Sequence, residues 1–421
     1  MSHSEQLARK FDDRVAARDA AAVAAAAVAR RHPGTPPRAD AELQVDVAAS
    51  ITALEELAGD YARLHSVARN VSPFALHAWH VAWCRHFLNL DRNVRDELAV
   101  LTLRDAGDCV AIVPLVVSHR RFGPLKIVSI NLLGADPSTT ESRTPLLAPG
   151  YEERAARAVR HYLARQPSWD WINWSGITEE FGSAFALGGR GPRQPEAPGY
   201  VLDLAPTWTQ FRARLRRNIR ESLRHCYNSL KREGLAFEFE IATEPADVRR
   251  GLERFLELHA MRARMPSTIE HPDHFVSDVS RRFLFDVCER LTATGTVRVF
   301  QLRIGAEVVA VRIGFVVGGC LYLYYSGFDP RWARYGAMTT TVAEAMKYAI
   351  AQGLTTVNLS RGTDTSKTRW GPREVRYTCA IEPRPRLVSR LAFHCYDSAR
   401  AGRGLPFWLL QRFGQAHRAW Q

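Results

Sequence analysis

The sequence lacks the short motifs that identify several common enzyme classes. It has no Gly-x-Ser-x-Gly nucleophile elbow, no phosphate-binding P-loop and no Gly-x-Gly-x-x-Gly dinucleotide fingerprint. Its seven cysteines include no Cys-x-x-Cys pair, and an odd number in a chain of 421 residues argues against a disulfide framework or a zinc ribbon. We therefore expect buried free thiols in a reducing compartment.

Long apolar runs are also missing. No run approaches the roughly 18 apolar residues of a membrane span. The alanine-rich stretch at residues 20–29 is too short for a span, and it follows a segment containing acids, unlike a signal peptide. We expect a cytoplasmic protein without a transmembrane segment, either free or peripheral to the inner face of the membrane.

Positive charge is concentrated in two segments. The chain has a net charge of +13, and 46% hydrophobic residues allow a large core. Residues 206–235 hold eight Lys or Arg against two acids, and residues 361–421 hold twelve against four. Because the remainder is nearly neutral, the excess favours an anionic ligand or surface over a uniform solubility charge.

The chain between the two tails has a duplicated pattern. In each half, three apolar runs typical of a strand meander precede a helix-like segment and a further strand. The third run ends in Gly-x-Asp-Pro, beginning at Gly134 and at Gly327, and the last strand contains apolar-Asn-apolar-Ser, with Asn173 and Asn358. The shared order predicts two similar α/β (α+β) domains, each a mixed, mostly antiparallel sheet flanked by helices.

We predict five parts from these patterns. They are a disordered or loosely helical tail at 1–44, an N-terminal domain at 45–205, a basic linker helix at 206–234, a C-terminal domain at 235–385 and a C-terminal helical tail at 386–421.

The linker helix has an apolar stripe and a basic stripe. Thr207 and Gln210 have capping-box spacing, and Gly234 is suited to end the helix. The apolar stripe contains Phe211, Leu215, Ile219, Cys226 and Leu230, and the basic stripe contains Arg212, Arg216, Arg220 and Arg224. The helix is expected to dock on a core and present cations, either to a phosphate-bearing acceptor, RNA or an acidic lipid surface, or only to solvent.

The loop after the third strand of the second half has the character of a phosphate site. A helix entry at Gly336, Ala337 and Met338 would present unpaired backbone N–H groups, with Arg331 and Arg334 beside it for charge-assisted hydrogen bonds. The first half has no paired arginines at this position. The alternative is a strand-to-helix turn with solvated arginines.

This arrangement resembles the acyl-CoA site of the GNAT acyltransferase superfamily. In that superfamily the loop follows Arg/Gln-x-x-Gly-x-Gly/Ala, and this chain has Arg331-x-x-Arg334-x-Gly336, with arginine in place of the middle glycine. The resemblance implies tandem GNAT-like domains joined by the basic helix.

A longer stretch resembles the CelD-like acetyltransferases, the cellulose-biosynthesis group of FemAB-like GNAT proteins. Two segments carry this resemblance, Tyr-x-x-Gly-Phe-Asp-Pro-x-x-Ala-Arg-Tyr from Tyr324 and Arg-Gly-Thr-Asp-x-x-Lys-x-x-Trp from Arg361. Relatives place the acid directly after the glycine, whereas Thr363 intervenes here. The resemblance implies an acyl-CoA-dependent N-acyltransferase, most simply an acetyltransferase, in exopolysaccharide or envelope biosynthesis.

Thirteen residues are the resulting site candidates. Those for proton handling and oxyanion support are Tyr325, Lys367 and Asp364. Those for acetyl-CoA or another acyl-CoA are Ser326, Arg331, Arg334, Tyr335, Gly336 and Ala337. Those for an amine or hydroxyl acceptor are Arg220, Arg224, Arg361 and Trp370.

Other functions stay open from the residues alone. A FemAB-type transferase would use charged tRNA as donor, and the basic helix would meet its backbone. A non-catalytic accessory protein of polysaccharide assembly would keep the fold without turnover. The pairs His77/His80 and His271/His274 lack a clear third ligand, so we expect no metal, and nothing indicates specific DNA binding.

Overall fold

We describe the fold from a computed structural model. The described residues are 42–68, 71–122, 125–136, 138–166, 168–179, 181, 193–265 and 271–400. The predicted tail at 1–44 therefore lies outside them apart from its last residues, as does the end of the predicted C-terminal tail.

Strands β1 to β15 form two sheets. They are β1 Gln44–Ala48, β2 Val94–Asp105, β3 Asp108–Phe122, β4 Leu125–Leu132, β5 Leu146–Leu147, β6 Trp171–Thr178, β7 Arg193–Pro195, β8 Gly199–Asp203, β9 Phe237–Ala242, β10 Val297–Ile304, β11 Glu307–Val317, β12 Cys320–Phe328, β13 Thr356–Arg361, β14 Arg373–Val375 and β15 Tyr377–Pro383. The first sheet has the order β1-β2-β3-β4-β6-β15-β7, with β5 on β3, and the second has the order β14-β8-β13-β12-β11-β10-β9.

Helices cover both sheets. They are α1 Ile51–Glu56, α2 Ala58–Val67, α3 His77–Phe87, α4 Glu152–Arg165, α5 Trp208–Arg214, α6 Arg217–Arg232, α7 Pro245–Ala263, α8 Asp278–Ala293, α9 Ala337–Ala351, α10 Thr365–Thr368 and α11 Leu387–Arg400. Short 3-10 helices occupy Pro73–Ala75 and Pro330–Tyr335.

The duplicated pattern predicted from the sequence is confirmed as two equivalent units. Strands β2, β3 and β4, helix α4 and strand β6 correspond to β10, β11, β12, α9 and β13. In each unit the three meander strands are antiparallel and the strand after the helix pairs in parallel with the third. The predicted mixed sheets flanked by helices are therefore present in both halves.

The two sheets exchange strands, which the sequence pattern does not predict. Strand β8 precedes the linker segment but pairs with β13 in the second sheet. Strand β15 follows the second unit but pairs with β6 in the first sheet. Each sheet is therefore completed by a strand from the other side of the linker.

Alternating side chains of the second sheet face two different layers of helices. Val299 and Val311 pack with Phe255 of α7 in a cluster that also contains residues of α3 and α8. Phe300 and Leu321 point the other way and pack with residues of α6 and α9. The alternation follows from the two-residue period of a strand.

The predicted linker helix forms two helices. Thr207 caps α5, its side chain accepting a hydrogen bond from the backbone N–H of Gln210. The chain is extended at Leu215 and Arg216 and then continues as α6 to Arg232. The five residues of the predicted apolar stripe are all buried, so the helices dock on the second sheet although the backbone is interrupted.

The described residues also show the state of the cysteines and the character of the helices. All seven cysteines lie within the described ranges, and none of them forms a disulfide there. Among the helices of the described ranges, none is long and apolar enough to cross a membrane.

Candidate functional site

Strands β12 and β13 separate after a short pairing. They pair in parallel from Cys320 opposite Thr356 to Tyr322 opposite Asn358. Beyond this point β12 continues to Phe328 and β13 to Arg361 without further pairing to each other. A bulge between β11 and β12 lies at the same level, at Arg312 and Gly314. Beyond Tyr322 and Asn358 the two strands are therefore not hydrogen-bonded to each other, and the backbone oxygens of Leu323 and Ser326 contact the side chains of Arg312 and His259 instead.

The Gly-x-Asp-Pro segment after β12 is a turn. The Asp329 side chain accepts a hydrogen bond from the backbone N–H of Arg331 at 2.9 Å. In the first half the Asp136 side chain accepts one from the backbone N–H of Ser138 at 3.1 Å. This shared side-chain-to-backbone contact accounts for aspartate in both copies as a turn residue.

Arg331 and Arg334 lie at the surface, each beside an acidic residue. Arg331 is ion-paired with Asp329 at 2.6 Å and with Glu307 at 3.0 Å, and its pKa is raised mainly by the hydrogen bond to Asp329. Arg334 stacks on the ring of Tyr335 and approaches Glu233 at 3.4 Å. Both side chains are about 70% exposed, at 68% and 71%.

Gly336 begins α9 with a left-handed backbone. Its φ is 65°, a conformation that glycine adopts without steric cost, and it is the N-cap of the helix. A Cβ at this position would lie 2.4 Å from Sγ of Cys226 on α6. Ala337 is buried directly behind it, so small residues bring α9 close to α6. The predicted helix entry is therefore placed as expected, and its role as a phosphate site stays a prediction.

A large cleft opens where β12 and β13 separate. Its volume is about 1760 Å³, and its walls come from both halves of the chain. Of the sequence candidates it contains Tyr325, Ser326, Arg361, Asp364 and Lys367.

Lys367 and Asp364 form a half-buried pair in this cleft. Lys367 Nζ lies 3.2 Å from Asp364 Oδ2 and donates to the backbone oxygen of Arg361. Burial lowers the pKa of Lys367, and the charge of Asp364 opposes that shift. The pKa of Asp364 is lowered because the hydrogen bond from Ser366 and the charge of Lys367 outweigh its burial. The Lys367 side chain is thus fixed by Asp364 and by the backbone oxygen of Arg361 in the cleft.

Tyr325 and Ser326 form the wall on the β12 side. The Tyr325 hydroxyl donates to the backbone oxygen of Ser138 at 2.6 Å, and burial raises the pKa of this phenol. The Ser326 hydroxyl accepts from Arg262 at 3.1 Å. Tyr325 therefore presents its ring to the cleft while its proton is directed at the first half.

Glu141 of the first half reaches the end of β13, which sequence reasoning missed. Its carboxylate accepts a hydrogen bond from the Ser360 hydroxyl, and its backbone oxygen accepts from Arg361 at 2.7 Å. Burial raises the pKa of Glu141, although Ser360 and the nearby cations act in the opposite direction. Nothing in the local sequence marks this residue, because the contact joins positions more than 200 residues apart.

The predicted acceptor residues do not lie together. Arg361 contacts the first-half segment, with Nη2 2.5 Å from Glu196 Oε2, and it stacks on Tyr377. Trp370 is buried in the core between the second sheet and its helices. Arg224 lies on the exposed face of α6, in a shallow depression of about 590 Å³, and Arg220 is half-buried on the same helix.

The histidine pairs considered as metal ligands have other partners. His80 is buried and hydrogen-bonded to the Tyr61 hydroxyl at 2.8 Å, and burial lowers its pKa to about 3. His271 contacts Arg262 at 3.1 Å. Within the described ranges, no group of three or more His, Cys, Asp or Glu side chains is arranged to hold a metal ion.

Residues 213–368 match the family model described as "Acetyltransferase (GNAT) domain". The matched range runs from α5 to α10 and contains the separated strands, the Gly336 helix entry and Lys367. Over this range the second half is therefore similar to a GNAT acetyltransferase domain. No curated protein matches the chain.

Three solved structures are similar to this chain over about four fifths of its length. FemX has 11% identity and a TM-score of 0.54, with 80% of this chain and 96% of that chain covered. The C-terminal domain of a putative lysylphosphatidylglycerol synthetase from Agrobacterium fabrum has 15% identity and a TM-score of 0.47, with 83% and 97% covered. A tandem GNAT protein from the clavulanic acid biosynthesis pathway has 11% identity and a TM-score of 0.40, with 81% and 98% covered. At this identity the FemX likeness concerns the fold alone.

Proposed function

We propose that the chain is an acyl-CoA-dependent N-acyltransferase that transfers an acyl group, most simply acetyl, from a CoA thioester to an amine. The observation that supports this most directly is the separation of β12 and β13 beside Lys367, within the range matched by the GNAT domain model. The finer resemblance to CelD-like acetyltransferases, and a place in exopolysaccharide or envelope biosynthesis, stay predictions.

The donor fits the second unit through two features. The separated strands beyond Tyr322 and Asn358 suit an extended, amide-containing arm, which would run along Tyr325 and Ser326. The N-terminus of α9 at Gly336 would bind the pyrophosphate through backbone N–H groups. Arg331 and Arg334 stand beside that entry, and in this proposal they exchange their acidic partners for phosphate.

Acyl transfer requires removal of a proton from the amine and stabilisation of the oxyanion. Glu141, whose raised pKa makes it a better proton acceptor than an exposed glutamate, would take the proton. The Lys367 ammonium, fixed by Asp364, would stabilise negative charge on the carbonyl oxygen. Tyr325 would position the acyl group with its ring.

Thermal unfolding with acetyl-CoA, a longer acyl-CoA, free CoA and charged tRNA tests the donor class. A ligand at 100 times its dissociation constant adds about 2.7 kcal/mol of stability. We expect acetyl-CoA and free CoA to raise the melting temperature and charged tRNA to leave it unchanged. The double variant Arg331→Ala/Arg334→Ala should lose most of the CoA effect. No shift with any CoA compound would refute the proposal.

A FemAB-type transfer from charged tRNA is the second candidate. The observation that favours it is the exposed basic surface of α6 around Arg224, Lys231 and Arg232. It predicts stabilisation by tRNA that falls steeply with salt. An accessory protein without turnover would show neither ligand effect.

A further inference from the structure

Two arginines that the second half contributes to the cleft, Arg262 and Arg312, are not ion-paired with a carboxylate of the described residues. Arg262 comes from α7 and Arg312 from the bulged part of β11. Arg262 contacts the Ser326 hydroxyl at 3.1 Å and the ring of His271. Arg312 donates from Nη2 to the backbone oxygen of Leu323 at 2.9 Å.

Neither guanidinium forms an ion pair with a carboxylate of the described residues. This distinguishes them from Arg331, Arg361 and Lys367, each of which is paired with an acid. The Nε atom of Arg312 is shielded from solvent and has no hydrogen-bond partner among the described residues. A buried donor left unpaired is costly, so this geometry indicates an absent acceptor group.

The two like charges also act on each other. Burial lowers the pKa of Arg312 to about 10, and the charge of Arg262 lowers it further. Burial likewise lowers the pKa of Arg262. The charges of Glu141 and Asp364 oppose the shift at Arg312, and that of Asp364 opposes it at Arg262, but the pKa of both arginines stays lowered. A bound anion would therefore stabilise the two cations further.

The location favours the acceptor over the donor. Arg262 extends from α7, which packs on the face of the second sheet opposite α9. The phosphate site proposed for the donor is at the start of α9. The arginines instead share the cleft with Glu141 and with His271 and His274 of the segment joining α7 to α8.

We propose that Arg262 and Arg312 bind an anionic group, a carboxylate or a phosphate, carried by the amine acceptor. The acceptor is then an amine with an acidic group, such as an amino acid or an aminoalkyl or amino-sugar phosphate. A guanidinium pair suits either group because both offer two oxygens in a plane to fork-shaped donors. This inference rests on the proposed acyl transfer, since it assigns the second substrate of the same site.

Isothermal titration with three aminoethyl compounds tests it without any acyl-CoA. Ethanolamine carries no acid, β-alanine carries a carboxylate and O-phosphoethanolamine carries a phosphate. We expect at least one acidic compound to bind about tenfold or more tighter than ethanolamine, a preference worth about 1.4 kcal/mol. If β-alanine binds more tightly than O-phosphoethanolamine, the anionic group of the acceptor is a carboxylate, and if the order is reversed it is a phosphate. Equal binding by all three, or binding by none, would contradict the proposal.

Arginine variants locate the preference. In Arg312→Gln and, separately, in Arg262→Gln, the acidic compound should bind no more tightly than ethanolamine. Arg254→Gln is the matched control, because Arg254 also lies on α7 and donates to a β11 carbonyl, that of Val308, but is paired with Glu257 outside the cleft. Retention of the full preference in both cleft variants would overturn the assignment, whatever the response to acetyl-CoA.

Urea unfolding without ligand separates anion binding from a structural role. If Arg312 serves only to hold Leu323, Arg312→Gln should lower the unfolding midpoint. If Arg312 binds an anion, Arg312→Gln should leave the unfolding midpoint without ligand unchanged or raise it. Phosphate should then raise the midpoint of the wild type more than that of the variant. A clear loss of midpoint in Arg312→Gln, with equal phosphate effects in both proteins, would refute the inference.

Discussion

The two halves contain the same separation of parallel strands, but they use it differently. In the first half β4 and β6 pair from Ser129 opposite Trp171 to Asn131 opposite Asn173, and then part. Arg143 occupies the space beyond, donating to the backbone oxygens of Gly134 and Asp136 and to the Ser175 hydroxyl. The parted ends of both strand pairs line the cleft, the first through Asn131, Asn173 and Ser175 and the second through Tyr325 and Ser360. The difference is that Arg143 bridges the parted strands of the first half.

The loop that follows β4 in the first half contacts and supports the second half. In the first-half loop, Arg143 donates hydrogen bonds to the ends of the two parted strands. In the same loop, the Glu141 carboxylate accepts a hydrogen bond from the Ser360 hydroxyl of the second half. Tyr324 and Tyr325 donate to the backbone oxygens of Thr139 and Ser138 in the same loop. The first half thus forms one wall of the cleft and the second half forms the other.

Replacement of Arg143 should have the largest effect on stability. Arg143→Met leaves three part-buried acceptors without their donor, each costing about 1 kcal/mol, so we expect a loss of about 3 kcal/mol in urea unfolding. Arg160→Met on the exposed face of α4 is the control and should change little. A loss below about 1 kcal/mol would mean that the first separation is not closed by this side chain.

Replacement of Lys367 should mainly affect catalysis. Lys367→Met removes the cation proposed for the oxyanion, and we expect kcat to fall about 100-fold with little change in KM for acetyl-CoA. The rate is measured as release of the CoA thiol in the presence of an accepted amine. Lys347→Met on α9, where the lysine is paired with Glu344 outside the cleft, is the control. Equal rates in the two variants would remove Lys367 from the mechanism.

Replacement of Gly336 tests the close approach of α9 to α6. Gly336→Ala and Gly353→Ala impose the same strain, because both glycines have a φ of 65°, but a Cβ has open space only at Gly353. We expect about 1–2 kcal/mol of destabilisation at Gly353 and about 1 kcal/mol more at Gly336. In a double-mutant cycle, adding Cys226→Ala to Gly336→Ala should recover the additional destabilisation that Gly336→Ala shows over Gly353→Ala. Purely additive losses would argue against the contact.

The smallest predicted effect is the pH dependence introduced by Glu141. Its pKa is raised on folding, so the wild type loses stability as pH rises from the unfolded-state pKa through the folded one, whereas Glu141→Gln does not. We expect the variant to gain stability relative to wild type between pH 4 and pH 7.5 in urea unfolding. Glu153→Gln on the exposed face of α4 should show no such gain. A gain toward low pH instead would mean that the carboxylate is stabilised by its cationic neighbours.

The sequence predicted local features better than long-range ones. The repeated strand order follows from alternating apolar residues, and the Asp329 turn and the Gly336 helix start follow from local backbone chemistry. The exchange of β8 and β15 depends on pairing between distant segments, which periodicity does not encode. The contribution of Glu141 was missed for the same reason, and Trp370 was assigned to a site although its ring is in the core.

Hydrogen exchange with and without acetyl-CoA tests the comparison of the two separations most directly. The account predicts slower exchange at backbone amides of residues 323–327 and 336–340 when acetyl-CoA is bound. It also predicts no change at residues 132–136, the corresponding position in the first half, where Arg143 already donates to the backbone oxygens of Gly134 and Asp136. Protection confined to the first half, or no protection in the second, would contradict the claim that the second unit alone holds the donor.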